Sequence, residues 1–328
     1  MNEVKDMSNN LVELKDIYKT FLASRKLFSS NKYVHALNGV SLEIRSGETL
    51  SIVGESGCGK STLGRVINKL LNVDSGEVWF ENKNITKYTA SQTRHLRNKM
   101  QMVFQDPYGS LNPRMKIKDI VAEPMLVHSD MSKKDRYNKV IELLETVGLN
   151  ERHAQGYAHE FSGGQRQRIG IARALSVNPR LIIADEPVSA LDVSIQAQVI
   201  NIFKRLQREF NLTYLFISHD LSVVEIISDR IGVMYLGHLV EITTKEILYK
   251  NPLHPYTQAL LSAVPVADPS HKRNRIILKG DIPSPIDMPI GCPFNTRCMY
   301  AMDQCFKTMP FLAEIEPGHK VACHLKSL

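Results

Sequence analysis

The hydrophobic residues of this chain fall into short continuous runs separated by longer stretches with helical spacing. The runs of strand length are residues 50–53, 100–104, 181–184 and 213–217. Continuous apolar runs of this length are typical of parallel strands that are buried on both faces of a sheet. Because strands that alternate with helices form α/β folds, the pattern predicts an α/β core.

Two earlier segments have a different pattern. Residues 12–17 predict a short strand, and residues 38–45 alternate apolar with polar positions before the turn at Ser46 and Gly47. Such alternation indicates a strand with one exposed face. Residues 22–33 lie between these two strands and are predicted to form an exposed loop.

Helical spacing predicts helices over residues 62–71, 132–147 and 166–175. The third of these is expected to end at Asn178-Pro179, because the residue before a proline avoids helical backbone angles.

The same spacing extends over much of the section between residues 108 and 175, which predicts a helical subdomain inserted into the α/β core. After residue 251, prolines and then cysteines replace the periodic pattern. We therefore expect a core domain over residues 1–251 and a C-terminal extension over residues 252–328.

Charge and hydropathy narrow the class of protein only slightly. The 328 residues include 41 Lys and Arg against 34 Asp and Glu, a net charge of +7, which suits an anionic partner without selecting one. The N-terminus is polar, and no run approaches the roughly 20 apolar residues that span a bilayer. The best candidate, residues 223–240, is interrupted by charged side chains. Any action at a membrane is therefore expected to require a docking partner.

A glycine-rich segment lies between a predicted strand and a predicted helix. It matches G-x-x-x-x-G-K-S and consists of Gly54, Glu55, Ser56, Gly57, Cys58, Gly59, Lys60 and Ser61. Glycines let backbone N–H groups close around phosphates, and the helix start adds the positive end of its dipole. In such a loop Lys60 binds the β and γ phosphates, and Ser61 offers a hydroxyl to Mg²⁺. The segment predicts a nucleotide site.

Polar side chains follow three of the predicted buried strands. They are Gln105, the pair Asp185 and Glu186, and His219. The carboxyl ends of parallel strands meet at one edge of a sheet, which would bring these groups to the phosphate loop. There Asp185 can approach the metal, Glu186 can orient or deprotonate water, and His219 can hydrogen-bond a γ-phosphate. A lone histidine or glutamine is more often structural, so Gln105 and His219 are weak indications by themselves.

A second anion-binding element precedes the helix predicted from Arg166. It consists of Phe161, Ser162, Gly163, Gly164 and Gln165. Ser162 can cap that helix, and the free N–H groups beyond it suit a phosphate. Because the phosphate loop of the same chain does not need this element, it favours an assembly of two such subunits.

Taken in order, these segments resemble the motifs of the ATP-binding cassette (ABC) superfamily over about residues 11–251. The segment from Gly54 to Ser61 resembles the Walker A motif, Gln105 resembles the Q-loop, and the segment from Phe161 to Gln165 resembles the signature motif. Asp185 with Glu186 resembles Walker B, the segment from Ser189 to Asp192 resembles the D-loop, and His219 resembles the switch histidine. Phe161 departs from the usual leucine at an apolar position, where we expect little effect. The resemblance implies a P-loop (RecA-like) nucleotide-binding domain with an inserted α-helical subdomain and a small, cysteine-containing C-terminal extension.

The resemblance also implies an ATPase that works as a head-to-tail dimer. Lys60 of one subunit and the signature motif of the other would bind the same ATP. It implies further that Thr62 joins the ATP-binding loop, that Glu186, His219 and Gln105 act in catalysis, that Ser61, Gln105 and Asp185 hold Mg²⁺, and that Asp192 acts in the D-loop.

An aromatic side chain after the first strand is implied to stack on adenine. Phe21 is our choice, with Tyr18 and Phe28 as alternatives, because the inserted residues 22–33 blur the register. Packing in the core is an equally good interpretation of each of these aromatic residues.

A narrower resemblance lies in residues 105–114, 185–194 and 251–257, which are similar to ATPase subunits of bacterial oligopeptide and dipeptide importers. The early insertion resembles their F-type subunit. The resemblance implies a peripheral protein at the cytoplasmic face of the bacterial inner membrane. Its partners would be a second ABC ATPase subunit, identical or not, two membrane permease subunits and an extracytoplasmic peptide-binding protein, without nucleic acid.

Other interpretations remain open for the cargo and the class. Relatives within this group import nickel or metal chelates, so such a metal complex is the alternative cargo. A soluble ABC ATPase that acts on DNA or the ribosome is disfavoured, since neither a second cassette nor a long coiled coil is visible.

Four of the five cysteines occur late in the chain, at Cys292, Cys298, Cys305 and Cys323. Clustered thiols in a cytosolic chain indicate metal more often than disulfides. Four thiolates suit zinc or an iron–sulfur cluster. The C-x5-C-x6-C-x17-C spacing is wider than usual zinc spacing, and the importer extension resembles one that can carry a 4Fe–4S cluster, so we favour that cluster, with zinc and buried cysteines without a metal as alternatives.

Overall fold

The computed structural model describes residues 10–24, 31–106, 108–264 and 275–326, which form two β-sheets with helices around the larger one. The larger sheet has eight strands in the order β11-β12-β10-β9-β3-β8-β7-β6. Their bounds are β3 Thr49–Val53, β6 Met100–Val103, β7 Leu181–Asp185, β8 Thr213–Ile217, β9 Arg230–Tyr235, β10 His238–Thr244, β11 Ala313–Glu316 and β12 His319–Val321. Strands β3, β8, β7 and β6 are parallel, as predicted, and β9, which the sequence pattern did not predict, pairs in parallel with β3. The other three strands extend the sheet in antiparallel fashion.

Alternate residues of the central strands face opposite sides of this sheet. Ile182 and Phe216 pack in a core with the helical section, whereas Leu181 and Leu215 pack in a second core beneath the smaller sheet. Because both faces are covered, every position of β7 and β8 is buried. This explains why these segments are continuous apolar runs in the sequence.

The smaller sheet is antiparallel, with strand order β2-β1-β4-β5. Its strands are β1 Asn10–Ser24, β2 Lys32–Arg45, β4 Ser75–Phe80 and β5 Lys83–Asn84. The prediction of an exposed loop over residues 22–33 is wrong at both of its ends, since Leu22 pairs with Tyr33. Both side chains are exposed, so this part of the hairpin lacks the buried positions that mark a strand in a sequence. Residues 25–30, with Phe28, lie outside the described residues.

The described helices are α1 Lys60–Ile67, α2 Ala90–Leu96, α3 Ile117–His128, α4 Lys133–Thr146, α5 Gly163–Leu175, α6 Val193–Phe210, α7 Leu221–Ile227, α8 Lys245–Lys250 and α9 Pro255–Ser262. Short 3₁₀ turns lie at Glu151–Gln155, Ala158–Glu160 and Asp303–Phe306. The predicted helix over residues 132–147 is confirmed as α4, with Ser132 as its N-cap. None of the helices in the described ranges is long and apolar enough to cross a membrane.

Residues after α8 pack against the same sheet. β12 pairs with β10 through Val321 opposite Glu241, so the end of the chain completes the sheet. Glu241 is fully buried and accepts hydrogen bonds from the backbone N–H groups of Leu253 and His254 at 2.8 and 3.0 Å. His319 Nε2 lies 2.7 Å from the same carboxylate. A buried charge needs such partners, and they tie α9 and β12 to β10.

Candidate active site

The glycine-rich loop runs from the end of β3 into α1, in the strand–loop–helix context that the sequence predicts. Gly59 is the N-cap of α1 and has φ +105°, a backbone angle that L side chains rarely adopt. A Cβ atom there would lie 2.2 Å from the carbonyl oxygen of Ala36 in β2. Glycine is therefore required by both the backbone angle and the close approach of β2.

Lys60 is buried at the first position of α1. Its Nζ donates to the carbonyl oxygens of Gly54 at 2.8 Å and Glu55 at 3.0 Å. These bonds draw the beginning and the end of the loop together around one ammonium group. The ammonium group therefore lies against the loop that leads into the N-terminus of α1.

Ser61 and Asp185 meet across the junction of α1 and β7. The Ser61 hydroxyl donates to Asp185 Oδ1 at 2.8 Å. Burial raises the pKa of the Asp185 carboxyl, while the bond from Ser61 and the charge of Arg65 oppose that shift. This contact places Asp185 beside the phosphate loop, as expected from the sequence.

Glu186 lies between two polar side chains from the neighbouring strand ends. Gln105 Nε2 donates to Glu186 Oε2 at 2.9 Å, and His219 Nδ1 lies 3.2 Å from the same oxygen. Glu186 has φ +47°, a left-handed angle that is uncommon for a residue other than glycine. Such backbone strain is found at functional sites. The structure thus brings together all the polar side chains predicted at this edge of the sheet.

Residues 161–165, called the signature element below, lie at the beginning of α5. Ser162 Oγ accepts from the N–H of Gln165 at 3.3 Å, and the Gln165 side chain accepts from the N–H of Ser162 at 3.0 Å. This reciprocal capping confirms Ser162 as the cap, but the helix begins at Gly163, three residues before the predicted Arg166. Glycine has a low helix propensity, which favours a later start of the helix. The two capping bonds stabilise the first turn, so the helix begins at the glycines.

Phe161 and Gly164 fix the signature element in place. Phe161 is buried and packs edge-on against His153, with ring centroids 5.5 Å apart. Gly164 lies so close to α6 that a Cβ atom would be 2.4 Å from Ile195 Cγ2. Within the described residues, the side-chain hydrogen bonds of Ser162 and Gln165 join them to each other and to none of the loop between β3 and α1.

Asp192 is the N-cap residue of α6.

The candidate adenine-stacking residues lie on β1. Phe21 pairs with Val34, and Tyr18 with Asn38, on the strand whose Ala36 touches Gly59. Both aromatic side chains are exposed, so core packing is not their role. Lys19 Nζ lies 5.6 Å from the Phe21 ring centroid. The choice between Phe21 and Tyr18 stays a prediction.

Two arginines of α5 have roles that the sequence pattern did not indicate. Arg173 Nη1 donates to the Ser110 carbonyl at 2.7 Å, and the Arg166 guanidinium lies 3.9 Å from the Tyr108 ring centroid. These contacts connect the segment that follows Gln105 with the signature helix. Regular spacing along α5 placed Arg166 and Arg173 in a helix but could not show where their side chains end.

The four late cysteines lie in one region of the C-terminal part. The Cys292 backbone N–H donates to the Cys305 carbonyl at 2.8 Å. Burial, with smaller effects from the other three cysteines, raises the pKa of the Cys292 thiol to about 12, and burial also raises the pKa of the Cys298 and Cys323 thiols. Across the described residues, no group of three or more Cys, His, Asp or Glu side chains is arranged to hold a metal ion. The four-cysteine metal or cluster prediction therefore finds no support in this geometry.

Similarity to known proteins agrees with this site. Residues 37–189 match the family model described as ABC transporter, and residues 240–305 match the one described as oligopeptide/dipeptide transporter, C-terminal region. Among solved structures, a dimeric post-hydrolysis state of the ATP-binding cassette MJ0796 bound to ADP and Pi has 32% sequence identity and a TM-score of 0.65, covering 71% of this chain and 98% of that one. CbiO1 from Clostridium perfringens, part of the transporter complex cbiONQ, has 26% identity and a TM-score of 0.64, covering 74% and 92%.

Curated relatives extend over nearly the whole chain. The oligopeptide transport ATP-binding protein AppF of Bacillus subtilis is 56% identical over 97% of this chain and 98% of that protein. The dipeptide transport ATP-binding protein DppF of Escherichia coli is 48% identical over 95% of this chain and 93% of that protein. The fold, the motif geometry and these similarities confirm the predicted ABC ATPase fold, and the chain belongs to the oligopeptide/dipeptide transport ATP-binding proteins of the ABC transporter family.

Proposed function

We propose that the protein binds and hydrolyses ATP to power the import of dipeptides or oligopeptides. The observation that carries the ATPase part is the convergence of Ser61, Asp185 and Glu186 at one edge of the sheet. The peptide part is supported by the relatives, since AppF and DppF are named for oligopeptide and dipeptide transport and match over nearly their full lengths.

We assign Glu186 as the general base that accepts a proton from the attacking water. The 2.9 Å bond from Gln105 and the 3.2 Å contact with His219 support this role, because they hold its carboxylate in one orientation. His219 is largely exposed, so it is available to a γ-phosphate. Lys60 and Thr62 would bind the phosphates.

Magnesium fits the residues at this edge. The Ser61 hydroxyl, the Gln105 amide oxygen and the Asp185 carboxylate are the oxygen donors that Mg²⁺ prefers, and protein sites for Mg²⁺ commonly add substrate phosphates to one or two carboxylates. When bound, the ion would neutralise charge that develops on the phosphates.

The signature element would complete the ATP site of a second cassette. Its exposed cap at Ser162 and the N-terminal N–H groups of α5 support binding of an anion from another subunit. We therefore propose a dimer with an identical or related ATPase, two permease subunits and an extracytoplasmic binding protein, at the cytoplasmic face of the bacterial cell membrane. We propose residues 1–251 as the ATPase domain and residues 252–328 as the C-terminal extension.

For the extension we propose a 4Fe–4S cluster on Cys292, Cys298, Cys305 and Cys323, with zinc as the alternative. Support comes from the donor chemistry, since four thiolates are the usual ligands of either group. The side chains do not form a ligand set here. Anaerobic purification followed by iron, sulfide and zinc analysis tests this, and a metal-free protein would overturn it.

The Glu186→Gln variant tests the ATPase assignment. We expect it to bind ATP and to form a stable dimer, while hydrolysis falls by at least about 100-fold because the base is lost. Glu145→Gln is the matched control, since it makes the same exchange at an exposed position of α4. Unchanged hydrolysis in Glu186→Gln would refute the assignment.

The cargo is tested in proteoliposomes that contain the complete transporter. We expect labelled di- or tripeptides to accumulate with ATP and to stimulate hydrolysis. Accumulation of Ni²⁺ or a metal chelate instead would identify a metal importer, and ATP hydrolysis without binding to any permease would identify a soluble ABC ATPase.

A further inference from the structure

Glu55, the second residue of the phosphate loop, is bound by the C-terminal part of the chain. Arg297 Nη1 donates to Glu55 Oε2 at 2.7 Å, and Arg297 Nη2 donates to Oε1 at 3.0 Å. Two parallel hydrogen bonds fix both the distance and the orientation of the two groups. The side chains are only 8% and 25% exposed, so water screens this ion pair weakly.

The guanidinium of Arg297 is itself held by aromatic packing. The Tyr235 hydroxyl lies 3.4 Å from Arg297 Nη1, and the Tyr235 ring packs edge-on against Phe294 at 5.2 Å. Phe294 and Arg297 belong to the same short segment, which leads directly into Cys298. The end of β9 and the cysteine-containing segment therefore determine together where the guanidinium lies.

The backbone of Glu55 has a partner from the same region. Its N–H donates to the Tyr256 hydroxyl at 2.8 Å, and the Tyr256 ring packs on Tyr235 at 4.7 Å. Tyr256 and Arg297, both after residue 251, thus bind the main chain and the side chain of Glu55.

The charge of Glu55 matters because of its position in the loop. Its backbone carbonyl accepts from Lys60 Nζ at 3.0 Å, so the carboxylate belongs to a residue that touches the phosphate-binding cation. An unpaired carboxylate at this place would repel a triphosphate. Arg297 supplies the compensating positive charge.

We propose that Arg297 is a positioning residue for ATP, which acts by neutralising the charge of Glu55 beside the phosphate-binding Lys60. The inference rests on the proposed binding of ATP at this loop and is independent of the cargo. The C-terminal part of the chain thereby acts directly on nucleotide affinity.

Equilibrium binding of Mg²⁺-ATP to the full chain, by calorimetry, tests the proposal with Arg297→Gln, Arg297→Lys and the double variant Glu55→Gln/Arg297→Gln. We expect Arg297→Gln to weaken ATP binding by about tenfold, because the Glu55 charge is left uncompensated. Arg297→Lys keeps the charge and should retain most of the affinity. Removing the charge of Glu55 should restore binding to Arg297→Gln, although the ion pair is still absent.

The outcomes separate charge compensation from a purely structural role. If Arg297→Gln binds ATP as the wild type does, or if the double variant binds as weakly as Arg297→Gln, the proposal is wrong. Failure of the wild-type chain to bind ATP would instead refute the proposed nucleotide function.

Discussion

The hydroxyl of Ser61, at the start of α1, donates a 2.8 Å hydrogen bond to the Asp185 carboxylate at the end of β7. The two residues are 124 positions apart, and their contact joins the phosphate loop to the strand that directly precedes Glu186. Since both are proposed here as oxygen donors for Mg²⁺, loss of either one should weaken the metal site.

Ser61→Ala should lower Mg²⁺-dependent ATP hydrolysis by at least about 100-fold, because a metal that stabilises developing charge contributes several kcal/mol. The rate should be measured over a range of Mg²⁺ concentrations, where the variant is expected to need more metal. Ser91→Ala, at an exposed position of α2, is the control. A Ser61→Ala variant with the wild-type Mg²⁺ dependence would contradict the assignment.

His219→Ala should reduce the turnover number by about 100-fold with a smaller loss of ATP affinity, because His219 contacts the Glu186 carboxylate and is only one of several groups proposed to reach the phosphates. Steady-state hydrolysis and equilibrium ATP binding measured on the same preparations would show this separation. His95→Ala removes an exposed histidine of α2 and should leave both quantities unchanged. Equal losses of turnover and affinity would argue that His219 serves binding.

Gly164→Ala should destabilise the protein and slow hydrolysis, since the added Cβ would lie 2.4 Å from Ile195 and push α6 away from α5. Thermal unfolding and hydrolysis by the assembled dimer are the measurements. Gly170→Ala is a matched control in the same helix, because its Cβ would meet nothing within 4 Å. That control should gain up to about 1 kcal/mol from better helix propensity. Relief of the Gly164→Ala defect by Ile195→Ala would identify the clash as the cause.

The free energy of unfolding should fall as the pH drops from 7 to 5. Burial lowers the pKa of His254 to about 4, and the unfolded chain has the ordinary value of 6.5. Between these values the unfolded state binds a proton that the folded state excludes, so folding loses about 2 kcal/mol at pH 5. The pKa of His238 is also lowered to about 4 and adds an effect in the same direction.

His254→Asn should flatten that pH dependence, because asparagine keeps an acceptor for the Tyr256 N–H but does not titrate. The difference from the wild type should be measured by denaturant unfolding above pH 5, where protonation of Glu241 does not contribute. His95→Asn makes the same exchange at an exposed position of α2 and serves as the control. An unchanged slope in His254→Asn would show that folding does not lower the pKa of this histidine.

Residues buried on both faces of the sheet were predictable, whereas contacts between distant segments were not. Strands β7 and β8 are continuous apolar runs because two cores cover them, and that requirement is visible in the sequence. The β1–β2 hairpin near Leu22 is exposed, so backbone pairing left no apolar pattern there. Glu55 and Arg297 lie 242 positions apart, and only the folded chain shows that they are partners.

The antiparallel end of the large sheet is completed late during translation. β10 is bordered by β9 on one side and by β12 on the other, and β12 lies within the last residues of the described chain. During translation the free edge of β10 stays open until β12 has been made, and such an edge is a template for pairing with another chain. Arg297 likewise emerges late. A ribosome-bound chain that stops before this point would carry a complete set of cassette motifs but an uncompensated Glu55, so nascent fragments should be poor competitors for cellular ATP.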